Sequence, residues 1–204
     1  LPAHLTYERL GAAYGTFGNY DTEIDGRPDG LPRGLPDPAF TGFYRIEYGL
    51  WHGQGARQLN GLAARLDSNV RALRRFWPGI EINLLDLGLR THEILENALQ
   101  FQLTGHDDYG SGTTLATTAA NITGTRELLV VLHPLLAARY PALPAVPAGL
   151  GALNRLLLAE RGPGGRWTPV RKLSTGQREQ IDAAAGQVLQ ELAPIAAMTE
   201  PRRS

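Results

Sequence analysis

Apolar residues in this chain recur at three- and four-residue intervals, and that period constrains the fold more than any other feature. Leu59, Leu62, Leu66, Val70 and Leu73 form one stripe, Phe43, Ile46 and Leu50 an earlier one, and a third runs from Leu84 to Leu103. Side chains so spaced gather on one side of an α-helix, whereas a strand needs alternation in twos, which is not evident here. Glycine and proline mark the interruptions. Arg9 to Gly18 predicts a short helix, and residues 26–40, rich in proline and glycine, a long irregular connection. A helix restarts near Thr41 and runs to Trp51, the Leu59–Leu73 helix stops before Pro78, and the Leu84–Leu103 helix ends at Gly105 ahead of a polar loop from His106 to Gly112. Thr113 or Ser111 caps the next helix, whose stripe is Leu115, Ala119, Ile122 and Leu129 and which meets Pro134 near its end. Pro141, Pro144 and Pro147 break the chain, Leu150–Ala159 resumes the helical spacing, Gly162–Gly165 breaks it again, and Ser174–Ala197 is the closing helix. The expectation is an all-α, up-and-down antiparallel bundle of six to seven helices, spanning 1–204 as one domain.

Composition narrows the function. Twenty basic and twenty acidic residues cancel, which argues against nucleic acid as a partner. No apolar run approaches the roughly 18 residues of a spanning helix. The absence of cysteine removes disulfides, thiolate metal sites and a cysteine nucleophile. The chain begins at Leu1 and its only methionine is Met198, so a processed or trimmed product is expected, one compatible with export.

Four segments occur in a distinctive order: YGTFGNYDTEID from Tyr14, GFYRIEYGLW from Gly42, HEILENAL from His92, and YGSGTTLATTAANITG from Tyr109. This order resembles the EfeO family of bacterial iron-uptake proteins and their imelysin-like helical domain, over roughly residues 10–136. The family pattern is Phe-Gly-Asp-Leu-Asp, then Gly-Phe-His-x-Ile-Glu-x-x-Leu-Trp, then Tyr-Ser-His-Thr-Asp-Leu and Ala-Asn-(Ile or Val)-x-Gly. The resemblance implies an exported helical protein of an iron-uptake system, periplasmic or on the cell surface and lipid-anchored through a removed leader. It also implies an iron, copper or zinc ion near the Gly-x-His-x-x-Glu helix and a membrane permease or other cell-envelope partner. Here the family's histidine falls on Tyr44, its second histidine on Gly112 and the neighbouring aspartate on Thr114, while Glu47 and Asn121 are retained. The family's cupredoxin-like domain has no counterpart in these 204 residues. Peptidase activity, attached to the family through imelysin, is not expected. A divergent relative serving as a metal-free interaction or polymer-binding scaffold is the alternative.

The residues themselves leave several readings open. Helical phase puts Glu47 among Phe43, Ile46, Leu50 and Trp51 on the apolar face, where a carboxylate needs a metal, a basic side chain or its own proton. Arg126, in phase with Leu115, Ile122 and Leu129, is the basic candidate. Tyr44 either ligates a ferric ion as a phenolate or packs with one hydrogen bond. Glu93 and Glu96, at i and i+3, either reach one cation or form a solvated acidic stripe. His92 with Glu93 and Glu96 matches a zincin helix poorly, because Glu96 stands where the second histidine belongs. His106, Asp107 and Asp108 offer hard donors for a loosely held cation, or simply a solvated loop. Gly110–Gly112 either receives an anion at a helix start or serves ordinary capping. No nucleophile elbow accompanies the serine, histidine and aspartate residues.

Overall fold

A computed structural model describes residues 1–82 and 84–200. Among the described residues there are eight α-helices: α1 (Pro2–Glu8), α2 (Asn19–Asp25), α3 (Gly42–Trp51), α4 (Ala56–Phe76), α5 (Leu84–Asn97), α6 (Thr114–Leu136), α7 (Ala145–Ala159) and α8 (Thr175–Thr199). The only extended pairing described is a single antiparallel bridge between Arg161 and Trp167. The all-α expectation holds. The chain folds as two compact units, one comprising Leu1–Ala12, Asn83–Asp108 and Gly112–Ser204, the other Ala13–Ile82 with Tyr109–Ser111.

In the larger unit, α6 packs against α1, α5 and α7, and α8 packs against α5 and α7. Leu115, Ile122 and Leu136 of α6 meet Leu150, Leu153 and Leu157 of α7 and Val188, Leu192 and Ile195 of α8 in one buried cluster. Each large aliphatic side chain so buried contributes about 1.5–3 kcal/mol. Because α6 is enclosed, its polar residues are buried too, including Thr117, Thr118, Asn121 and Thr125. Threonine solves the resulting hydrogen-bond problem locally. The Thr118 hydroxyl donates to the Thr114 carbonyl at 3.1 Å and that of Thr125 to the Asn121 carbonyl at 3.0 Å. Ser174 and Gln177 close a capping box at the start of α8. After α5 the helix widens into a π turn over Ala98–Gln102, in which the Leu103 N–H donates to the Ala98 carbonyl five residues back.

In the smaller unit α2 packs on α3 and α4, and α3 on α4. Phe17, Ile24, Phe40 and Tyr44 are its most buried large side chains. Gly42 lets α3 begin directly against the end of α2. Its φ is 81°, and a Cβ there would lie 2.1 Å from the Ile24 carbonyl oxygen. The Thr41 hydroxyl donates to the Glu23 carbonyl at 2.9 Å. Within the irregular connection, the buried Asp37 carboxylate accepts the N–H groups of Ala39 (2.8 Å) and Arg33 (3.2 Å).

Three local expectations change. The helix expected over Arg9–Gly18 is instead a 3-10 segment, Gly11–Thr16, set between α1 and α2. Pro147 does not break the chain but sits in the first turn of α7, which begins at Ala145, where a missing N–H costs nothing. Leu50 and Trp51 are 55% and 54% exposed, so the buried side of α3 is carried by Gly42, Tyr44 and Gly49.

Candidate functional site

Glu47 is half-buried on α3, one turn beyond the buried Tyr44. Its Oε1 accepts the peptide N–H of Tyr109 at 3.0 Å and that of Ser111 at 3.1 Å. The Tyr109 ring packs against Phe40 (centroids 5.8 Å apart) and Tyr44 (5.5 Å), both tilted as aromatic quadrupoles prefer. Gly110 completes the contact. With φ at 133° and a would-be Cβ 2.4 Å from Trp51 Cβ, the 109–111 backbone lies closer to α3 than a larger residue allows. An ionised carboxylate is acceptor-only, and two peptide donors on one oxygen use it as a charge-assisted anchor for the loop. The rings of Tyr44 and Tyr109 pack together, and the Tyr109 peptide meets the Glu47 carboxylate one turn along α3. The hydrogen bonds described at Glu47 come from peptide N–H groups. Arg126 belongs to the other compact unit, where it lines a cleft beside Leu129 and Leu150.

The remaining candidates stand in separate local arrangements. Glu93 pairs with Arg90 at 2.7 Å, while Glu96 lies 3.4 Å from His92 Nδ1 and accepts from Gln100 Nε2 at 3.3 Å. Each carboxylate therefore answers to neighbours on its own helix. Asp108 is an ordered element of its loop, with its side chain 7% exposed. One oxygen accepts the Gly112 N–H at 2.8 Å and the other pairs with Arg171 at 2.8 Å. The buried Asp107 accepts from Gln102 Nε2 at 3.2 Å, and the His106 ring packs on Phe101. Asp107 and Asp108 are thus held by neighbours within the larger unit.

At the family's aspartate position, the Thr114 hydroxyl is buried without a hydrogen-bond partner among the described residues. The retained Asn121 is buried on α6. Sequence reasoning passed over a further pair. On α1, His4 Nε2 lies 3.1 Å from Glu8 Oε1, with both side chains under one-tenth exposed. An i,i+4 His and Glu pair was the available signal, obscured by a helix too short to show a stripe.

Helical architecture and motif order together define an all-helical protein of the imelysin class. The family model for imelysin matches residues 12–147, and the chain belongs to the imelysin family. It is similar to the iron uptake system component EfeO of Yersinia pseudotuberculosis serotype I (strain IP32953) and to EfeO of Escherichia coli (strain K12). Each is 25% identical over 195 residues, covering 95% of this chain and 52% of the relative. The chain spans about half the length of these curated relatives. Among the described residues no helix is long and apolar enough to cross a membrane.

Proposed function

We propose that this chain is a non-enzymatic component of an iron-uptake system. It is exported, and it binds iron or another metal ion weakly or together with a cell-envelope partner such as a permease. Support comes from likeness to EfeO across 95% of the chain. The observation that carries the weak-binding reading is Glu47: the family's acid is kept, but Oε1 is engaged by the Tyr109 and Ser111 N–H groups and the family's histidine is the buried Tyr44. Iron here is cargo, and carboxylate and phenol oxygens suit a hard cation. A hydrolytic role finds no support at His92, whose neighbour at i+4 is the ion-paired Glu96 rather than a second zinc ligand.

The test is a domain exchange. The matching half of Escherichia coli EfeO is replaced by this chain, and accumulation of radioactive iron is measured in iron-starved cells lacking their own EfeO. Accumulation above the empty-vector level is expected. A folded, exported chimaera that accumulates no more iron than the vector control overturns the proposal.

A further inference from the structure

We propose that the cleft beside α6 and α7 binds one amphiphilic anion, an alkyl carboxylate whose chain lies along the apolar wall and whose head meets Arg126. The cleft has a volume of about 400 Å3, and Leu129, Val130, Leu143 and Leu150 line it together with Arg126 and His133. That volume lies within the ~300–1,000 Å3 typical of small-molecule sites. All of these residues belong to the larger unit.

The charge pattern selects the ligand. Arg126 is half-buried, and its Nη2 lies 3.7 Å from the point a Gly151 Cβ would occupy, with Arg155 Nη1 3.5 Å from the same point. Among the described residues neither guanidinium has an ion-pair or hydrogen-bond partner. The acid beside Arg126 in sequence is engaged elsewhere: Glu127 pairs with Arg9. A half-buried, uncompensated Arg126 guanidinium on an apolar wall calls for an anion that brings its own hydrocarbon. Val130, 73% exposed one turn from Arg126, leaves the cleft accessible from solvent. These residues are distinct from those around Glu47, so the proposal stands or falls independently of iron uptake.

The test is calorimetric titration of the full chain with decanoate below its micelle concentration, alongside acetate and decanol. Decanoate should bind once per chain, about tenfold or more tighter than decanol, with acetate giving no saturable heat. Arg126→Met, and Val130→Glu, which sets a carboxylate at i+4 to occupy the guanidinium, should each weaken decanoate about tenfold or more while keeping the wild-type circular dichroism. Val130→Glu, at an exposed site, keeps the test decisive should Arg126→Met fail to fold. No saturable decanoate binding, decanol binding as tightly as decanoate, or unchanged affinity in Val130→Glu overturns the proposal. Phosphatidylglycerol vesicles separate a free amphiphile from a bilayer. No cosedimentation is expected, and cosedimentation abolished by Val130→Glu would reassign the cleft to a membrane surface and overturn the free-ligand proposal.

Discussion

Replacing Glu47 by glutamine and by alanine separates what its charge does from what its shape does. In the wild-type protein Oε1 receives two peptide N–H bonds, at 3.0 and 3.1 Å. Glutamine keeps an acceptor oxygen in place but removes the charge. A bond to a charged group contributes about 1.5–3 kcal/mol against about 1 kcal/mol for a neutral one, so Glu47→Gln should cost ~1–2 kcal/mol. Alanine leaves both donors without the carboxylate, at about 1–3 kcal/mol each when water cannot replace it. Because Glu47 is half-buried, water replaces part of that loss, which places Glu47→Ala at ~2–4 kcal/mol. Urea unfolding at neutral pH, followed by circular dichroism and by Trp51 fluorescence beside the loop, measures both. The ordering alanine, glutamine, wild type from least to most stable is the expected result. Two variants indistinguishable from wild type, within about 0.5 kcal/mol, would refute the anchoring role. A loss in glutamine as large as that in alanine would also refute it, because it would point to a charge partner, lost equally in both, rather than to peptide donors.

Gly110→Ala places a side chain at φ 133° and against Trp51, so it should destabilise the protein by ~1–3 kcal/mol, read by urea unfolding. Asp108→Asn removes the charge facing Arg171 and should cost about 1 kcal/mol in thermal unfolding, little because Arg171 is 62% exposed, and it should leave metal affinity unchanged. Burial raises the pKa of Asp182 above the ordinary carboxylate value, against the opposing charge of Arg178. Between its unfolded and raised folded values the native state binds more proton, so this group's contribution falls as pH rises through that window. Asp182→Asn should therefore raise the melting temperature at neutral pH, with the gain vanishing below the unfolded carboxylate pKa. A gain that persists at low pH contradicts this assignment.

The sequence conveyed the long helices, and it concealed how far around its surface α6 is buried. α3 and α4 carry clear stripes, and α8 opens on a serine and glutamine spaced as a capping box. At the N-terminus Gly11, Gly15 and Gly18 interrupt every window long enough to show a period, so the short α1 and α2 go unread and the helix is expected over Arg9–Gly18, between them. α6 is buried on most of its surface, and threonines that return their hydroxyls to the preceding turn occupy places where a stripe would show solvent. The acid at Glu47 was legible, because a carboxylate beside Tyr44 demands a partner. Its partners were not, because peptide N–H groups leave no trace in side-chain patterns. Phase alone also set Glu47 among Leu50 and Trp51, residues that prove more than half exposed.

We propose that metal binding persists in this chain in weakened form, with Glu47 shared between loop and cation. Calorimetric titration of chelator-treated protein with ferrous, ferric, copper and zinc ions tests it most directly. Saturable iron binding is expected at a Kd between about 10 μM and about 1 mM, and Glu47→Ala should lose it. Absence of any saturable binding tighter than about 1 mM, or iron binding that Glu47→Ala leaves intact, contradicts the account.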